Sequence, residues 1–175
     1  MEFLAQFHPK VIHFAVSLLI IYSLFEILGA ILKNDFLRKT AHLILFLGVL
    51  SALGAVITGN QAKDAFDYWN KNSSDMVEMH ETYATITLWF FAALLLVRTF
   101  LVLKKRFSLT LNYLFACLSI VGMFFVFQTG ERGGKLVFEF GVGTQIKKQI
   151  MEGTTEPEHK DSIKTENDNK QIESK

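Results

Sequence analysis

The apolar residues of this 175-residue chain are gathered into four blocks, and each block is close to the roughly 20 residues that a helix needs to cross the hydrocarbon of a bilayer. This patterning constrains the fold more than any motif does. Inside lipid every backbone N–H and C=O must be paired within its own segment, so the blocks must be helices. The predicted spans are Pro9–Leu32, Thr40–Thr58, Thr82–Leu103 and Leu109–Gln128. The fold class is therefore all-α, a four-helix antiparallel transmembrane bundle over residues 1–144. The hydrophobic share of 50% supports it, because a soluble domain of this size is more polar.

Composition narrows the chemistry. A net charge of +1 offers no basic stripe for nucleic acid. Cys117 is the only cysteine, so an internal disulfide and a cysteine-based metal site are both ruled out. The run Val11–Leu32 is longer than a leader's apolar region and ends without a small-x-small cleavage pattern, so it reads as a span. Pro9 suits a first helical position, with His8 as its cap.

Loop charge predicts the orientation. Lys33, Arg38 and Lys39 follow the first span, and Lys104, Lys105 and Arg106 follow the third. The long connection Gly59–Glu81 carries Asp64, Asp67, Asp75, Glu78 and Glu81 against Lys63 and Lys71. Arg132 and Lys135 weaken the contrast without reversing it. The two short basic loops are expected in the cytoplasm of a bacterial inner membrane, with both termini and the long connection outside.

Within that connection, Ala62, Ala65, Phe66 and Trp69 recur at helical spacing, so Gln61–Asn70 reads as a short interfacial helix with Tyr68 and Trp69 at headgroup depth. Leu136–Phe140 alternates like a strand folded back on the outer face. Residues 145–175 are polar and nearly free of aromatics, the composition of a flexible tail.

Three segments carry a family resemblance. The first span opens Phe7-His8-Pro9-Lys10-Val11-Ile12-His13-Phe14, the third is entered through His80-Glu81-Thr82, and the chain continues after the fourth with Gly133-Gly134-Lys135-Leu136-Val137-Phe138 and Gly141-Val142-Gly143. Together with four spans, these resemble the bacterial membrane family of unknown function numbered 2231, over roughly Phe7–Gly143. Ala15 stands where that family often has proline, and Phe138 where it often has tyrosine. Some members are joined to cytochrome c or Rieske-type domains. The resemblance therefore implies a redox neighbourhood, with haem or quinone and a partner of either type.

Titratable rings near a bilayer are functional candidates by default. His13 in the first span and His80 before the third are expected at similar depth, one on each of two helices, as the axial ligands of a haem b require. His8 and His13 are five residues apart, so at about 100° per residue they diverge by roughly 140° on a helix. They are poor co-ligands of one metal, and His8 reads as a cap, a propionate or quinone partner, or an alternative ligand. A quinone or proton site ranks second. Another metal ranks third, because zinc or copper wants three or four closely spaced ligands. Purely structural histidines complete the set.

At the opposite ends of the spans, Glu26 and Arg98, flanked by His42, form the expected buried ion pair, read as a structural lock. In the second span Gly48, Ser51, Ala52, Gly54 and Ala55 make a small-residue stripe, suited to a central position or to a homo- or hetero-oligomer contact. The leading reading is an electron-transfer module that exchanges electrons with quinol or an external partner and is no stand-alone enzyme. The alternative is a non-catalytic anchor or assembly subunit of a larger complex.

Overall fold

The computed structural model describes residues 2–66, 69–104 and 108–143, with side chains from Gln6 onward. Four long helices account for nearly all of it: α1 (Glu2–Ile31), α2 (Asp35–Asp64), α3 (Lys71–Leu103) and α4 (Leu109–Phe138). Each is long and apolar enough to cross a membrane. They form one compact unit, Met1–Phe140, and Gly141–Lys175 falls outside it. Each helix packs on its two neighbours in chain order, and α4 closes back on α1. The helices α1 and α3 therefore lie on one diagonal and α2 and α4 on the other.

Short signals fix the ends. Lys33 adopts φ +52°, and the Asn34 N–H reaches back to the Gly29 carbonyl at 3.1 Å, which closes α1 as a Schellman turn. The Asn34 side chain then caps α2 by accepting from the Phe36 and Leu37 N–H groups. This hairpin is tight: a Cβ on Gly29 would lie 2.8 Å from the Arg38 side chain. Asn70 and Ser73 cap α3 reciprocally, and Ser108 caps α4.

Two segments differ from the sequence reading. Gln61–Asp64 continue α2 and form no separate interfacial helix. Gly59 does not end α2 because it serves close packing, and a Cβ there would sit 2.9 Å from the His8 ring. Phe66 and Trp69 meet edge to face at 4.8 Å, while Tyr68 lies outside the described residues. Likewise Leu136–Phe138 belong to α4 and not to a strand. Leu136 is buried, Lys135 pairs with Glu131 one turn back, and the Arg132 guanidinium donates to the Gln128 carbonyl. These contacts outweigh the helix penalty of Gly130, Gly133 and Gly134. The polar segment from residue 145 lies outside the described residues.

The polarity of the bundle is inverted relative to a soluble protein. Leu24, Leu43, Phe46, Leu50, Trp89, Leu96, Phe100, Phe124 and Phe127 face outward, while Ser23, Glu26, Thr87, Arg98, Asn112 and Ser119 are buried. An apolar coat around a partly polar interior is stable only against lipid. The buried serines are satisfied locally, Ser23 donating to the Leu19 carbonyl and Ser119 to that of Ala116.

Midway along the bundle the core is apolar and close-packed. Leu19 fills the notch at Gly48, where a Cβ would come within 2.8 Å of it. The small-residue stripe of α2 therefore serves α1: Gly54 likewise faces Val11. Phe91 fills the notch at Gly122, where a Cβ would meet the ring at 2.5 Å. The Phe91 ring cannot easily move, because Tyr22 and Phe90 hold it edge to face at 5.9 and 5.6 Å. We therefore expect Gly122→Ala to destabilise the protein by about 1–3 kcal/mol through overpacking. Thermal unfolding in detergent checks this, and Gly130→Ala, which meets open space, serves as the control.

Candidate functional site

The bundle has a polar layer near each end, and both are built on the α1–α3 diagonal. His8 and Glu26 are eighteen residues apart on α1, and His80 and Arg98 are eighteen apart on α3. Eighteen residues make five full helical turns, so each pair shares one helix face, about 27 Å apart along the axis. That separation is close to the roughly 30 Å of a hydrocarbon core.

The histidine layer joins all four helices. His8 Nδ1 lies 3.0 Å from the Thr58 hydroxyl on α2. His80 Nδ1 lies 3.0 Å from the Thr129 carbonyl on α4. A carbonyl only accepts, so His80 must donate from Nδ1. The Thr58 hydroxyl also lies within reach of the carbonyls of Gly54 (2.9 Å) and Ala55 (3.2 Å), and when it gives its hydrogen to either of them its oxygen accepts from His8 Nδ1. The neutral His80 ring therefore carries its proton on Nδ1, with a lone pair on Nε2, and His8 takes the same tautomer when Thr58 donates to its own helix. The two imidazoles are near enough to interact electrostatically across the diagonal. Each lies against a glycine: Gly59 faces His8, and Gly133 faces His80, where a Cβ would stand 3.0 Å from the ring.

The surroundings of this layer are strongly polar. The Thr87 and Thr129 hydroxyls meet at 3.0 Å. Lys63 on α2 bonds Glu81 on α3 at 2.7 Å, and the Arg132 guanidinium stacks on the Tyr83 ring at 3.8 Å. Two open grooves of about 380 and 500 Å³ run along the outward face of α3, beside Glu78 and Thr82, on the side away from His80.

His13 is exposed on the outer side of α1. The structure brings His8 and His80 together and leaves His13 apart from both. The reason lies at the N-terminus. The helix begins at Glu2 and carries Pro9 inside it, so His8 is a helical residue on the buried face and not a cap. The signal was present in the sequence, because the charged residue inside the first block marks the inward face. Five turns back from Glu26 is His8, whereas His13 is rotated from it by roughly 140°.

The second layer holds the Glu26–Arg98 ion pair, with Arg98 only 2% exposed and Glu26 fully buried. Arg98 also donates to the Arg38 carbonyl at 2.9 Å and lies over the Phe115 ring at 5.5 Å. Tyr22 approaches the same guanidinium, and His42 lies within its electrostatic reach. The close approach at Gly29 thus has a second effect, because it sets the α2 turn whose carbonyl receives Arg98. Removing one partner leaves a buried charge, so Arg98→Leu should cost about 3–5 kcal/mol. The double variant Glu26→Leu with Arg98→Leu should recover much of that loss. Unfolding of the two variants against the parent in detergent measures both.

The chain belongs to a family described as a predicted membrane protein, DUF2231, whose model matches residues 5–146. No curated protein and no solved structure matches it.

Proposed function

We propose that His8 and His80 would hold the iron of a haem b, and that the protein is a small electron-transfer module of the membrane. The single observation that carries this reading is the pair of half-buried imidazoles brought near each other across the bundle, each held through a hydrogen bond at Nδ1. Histidines that ligate metals characteristically donate their other ring N–H to a carbonyl, carboxylate or water, which fixes the tautomer and the ring plane. Thr129 and Thr58 fill that role here.

The donor set fits haem better than a bare metal ion. Among the described residues no three His, Cys, Asp or Glu side chains group as metal ligands. Two imidazoles from different helices would suit haem iron, whereas a structural zinc site wants four protein ligands. His8 and His80 would hold the iron, and the haem would supply a one-electron couple. Thr58 and Thr129 restrict rotation of the imidazoles. Gly59 and Gly133 let the rings lie close against α2 and α4, where any larger residue would push them off axis.

The position of the layer supports exchange with both quinol and an external redox protein. It lies about two turns from the ends of α1 and α4 and beside the α2–α3 connection. The basic short loops favour that end as the outer one. A cytochrome c or Rieske-type partner is the kind of acceptor such a position serves.

The test is a reduced-minus-oxidised absorption spectrum of protein purified after expression with haem available. Sharp α and β bands at near-stoichiometric haem are expected. His8→Ala and His80→Ala should each abolish them, and His13→Ala should leave them. A flat spectrum from well-folded protein overturns the reading. Loss with His13→Ala and retention with His8→Ala would move the ligand to His13.

A further inference from the structure

The arginine layer contains more polar atoms than its ion pair uses. Glu26 Oε1 on α1, His42 Nδ1 on α2 and Asn112 Oδ1 on α4 are all buried without a hydrogen-bond partner in the protein. Asn112 is only 3% exposed and Glu26 fully buried. All three helices bring these atoms to the level of Arg98 on α3. Glu26 is its ion partner, His42 is within its electrostatic reach, and Asn112 lies one turn from Phe115, whose ring underlies the guanidinium. A buried polar atom left unpaired is costly, so these three need partners that the protein does not supply.

We propose that the arginine layer is a hydrated site, in which internal water hydrogen-bonds Glu26, His42 and Asn112 around Arg98 and exchanges with solvent only at the end bearing the α1–α2 and α3–α4 connections. Internal water carries the donors and acceptors that these atoms need. It donates to Glu26 Oε1 and to Asn112 Oδ1, and it accepts from His42 when Nδ1 carries the ring proton. Internal waters typically make about three such bonds to otherwise unpaired groups.

Access on one side follows from the packing. Glu26 and Arg98 lie within two turns of the ends of α1 and α3, and Asn112 lies in the first turn of α4. His42 is half-buried and Arg38 is partly exposed at the same level. Towards the histidine layer the way is closed by Leu19, Leu45 and Phe91, each no more than 2% exposed. The polar groups facing Glu26 are Tyr22 on its own helix, Arg38 on α2 and Arg98 on α3, while His42 on α2 faces Arg98 and Asn112 on α4 lies at the same level. A carboxylate in contact with such water exchanges protons with one side of the membrane only. This proposal stands independently of haem binding.

Cysteine reactivity tests it, because only a hydrated thiolate reacts with a membrane-impermeant methanethiosulfonate. The protein is placed in lipid nanodiscs with Cys117 replaced by serine. Asn112→Cys should then react about tenfold faster than Tyr113→Cys, which sits at the same depth but points outward. Equal or slower reaction overturns the proposal. Asn112→Leu decides it where the cysteine variant does not fold. Loss of a bridged water should lower the melting temperature by about 2–4 °C. In a dry layer, removal of an unpaired carbonyl should raise it.

Discussion

The Glu26–Arg98 pair is the constraint on which the rest of the bundle depends. A charge inside the hydrocarbon must be paired, and here the two partners stand on diagonal helices that have no other extensive packing against each other. Their meeting fixes the rotation of α1 and of α3 about their own axes. Once Glu26 and Arg98 face inward, every residue five turns away on the same helix faces inward too. His8 and His80 are those residues. The ion pair therefore orients the histidine layer from about 27 Å away, without any contact between the layers.

Much of this was legible from residue types alone. Four apolar blocks gave the helices, and Glu26 with Arg98 stood out because lipid tolerates such groups only in pairs. The ends were less legible. The sequence ends the second span at Thr58 and the fourth at Gln128, yet α2 and α4 run on past Gly59 and Gly133, which are close-approach positions against imidazoles. A glycine's local propensity is the same in either role, and only the tertiary neighbour decides. The rotation of α1 was readable but was misled at Pro9. With the helix started at Pro9, His8 became a cap and His13 the first inward ring. Counting back from Glu26 avoids that error, because a charged residue deep in a span is a better reference for rotation than an uncertain helix start.

Which Nδ1 partner each histidine takes was beyond the sequence. Thr58 and Thr129 are ordinary span residues, and each lies about fifty positions from its histidine, 58−8 for one pair and 129−80 for the other. Their meaning comes from the square arrangement of helices. Each diagonal histidine is held by a helix of the opposite diagonal, so the layer needs all four helices in register. The same holds in the arginine layer, where Arg38 and His42 come from α2 and Phe115 and Asn112 from α4.

Between the layers the packing reverses its logic. There the helices approach through notches at Gly48 and Gly122, filled by Leu19 and Phe91, and the buried Ser23 and Ser119 hydroxyls bond carbonyls of their own helices. Polar layers at both ends with a dry middle allow each end to be hydrated or liganded without opening a path across the membrane. The middle is also tightly packed, because Leu19 and Phe91 wedge into glycine notches. Rigidity there keeps the relative rotation of α1 and α3 constant, so the orientation set at Glu26 and Arg98 reaches His8 and His80 undiminished. A softer middle built from larger, loosely fitted side chains would let the helices turn independently. The two imidazoles would then no longer be held on the inward face of the bundle.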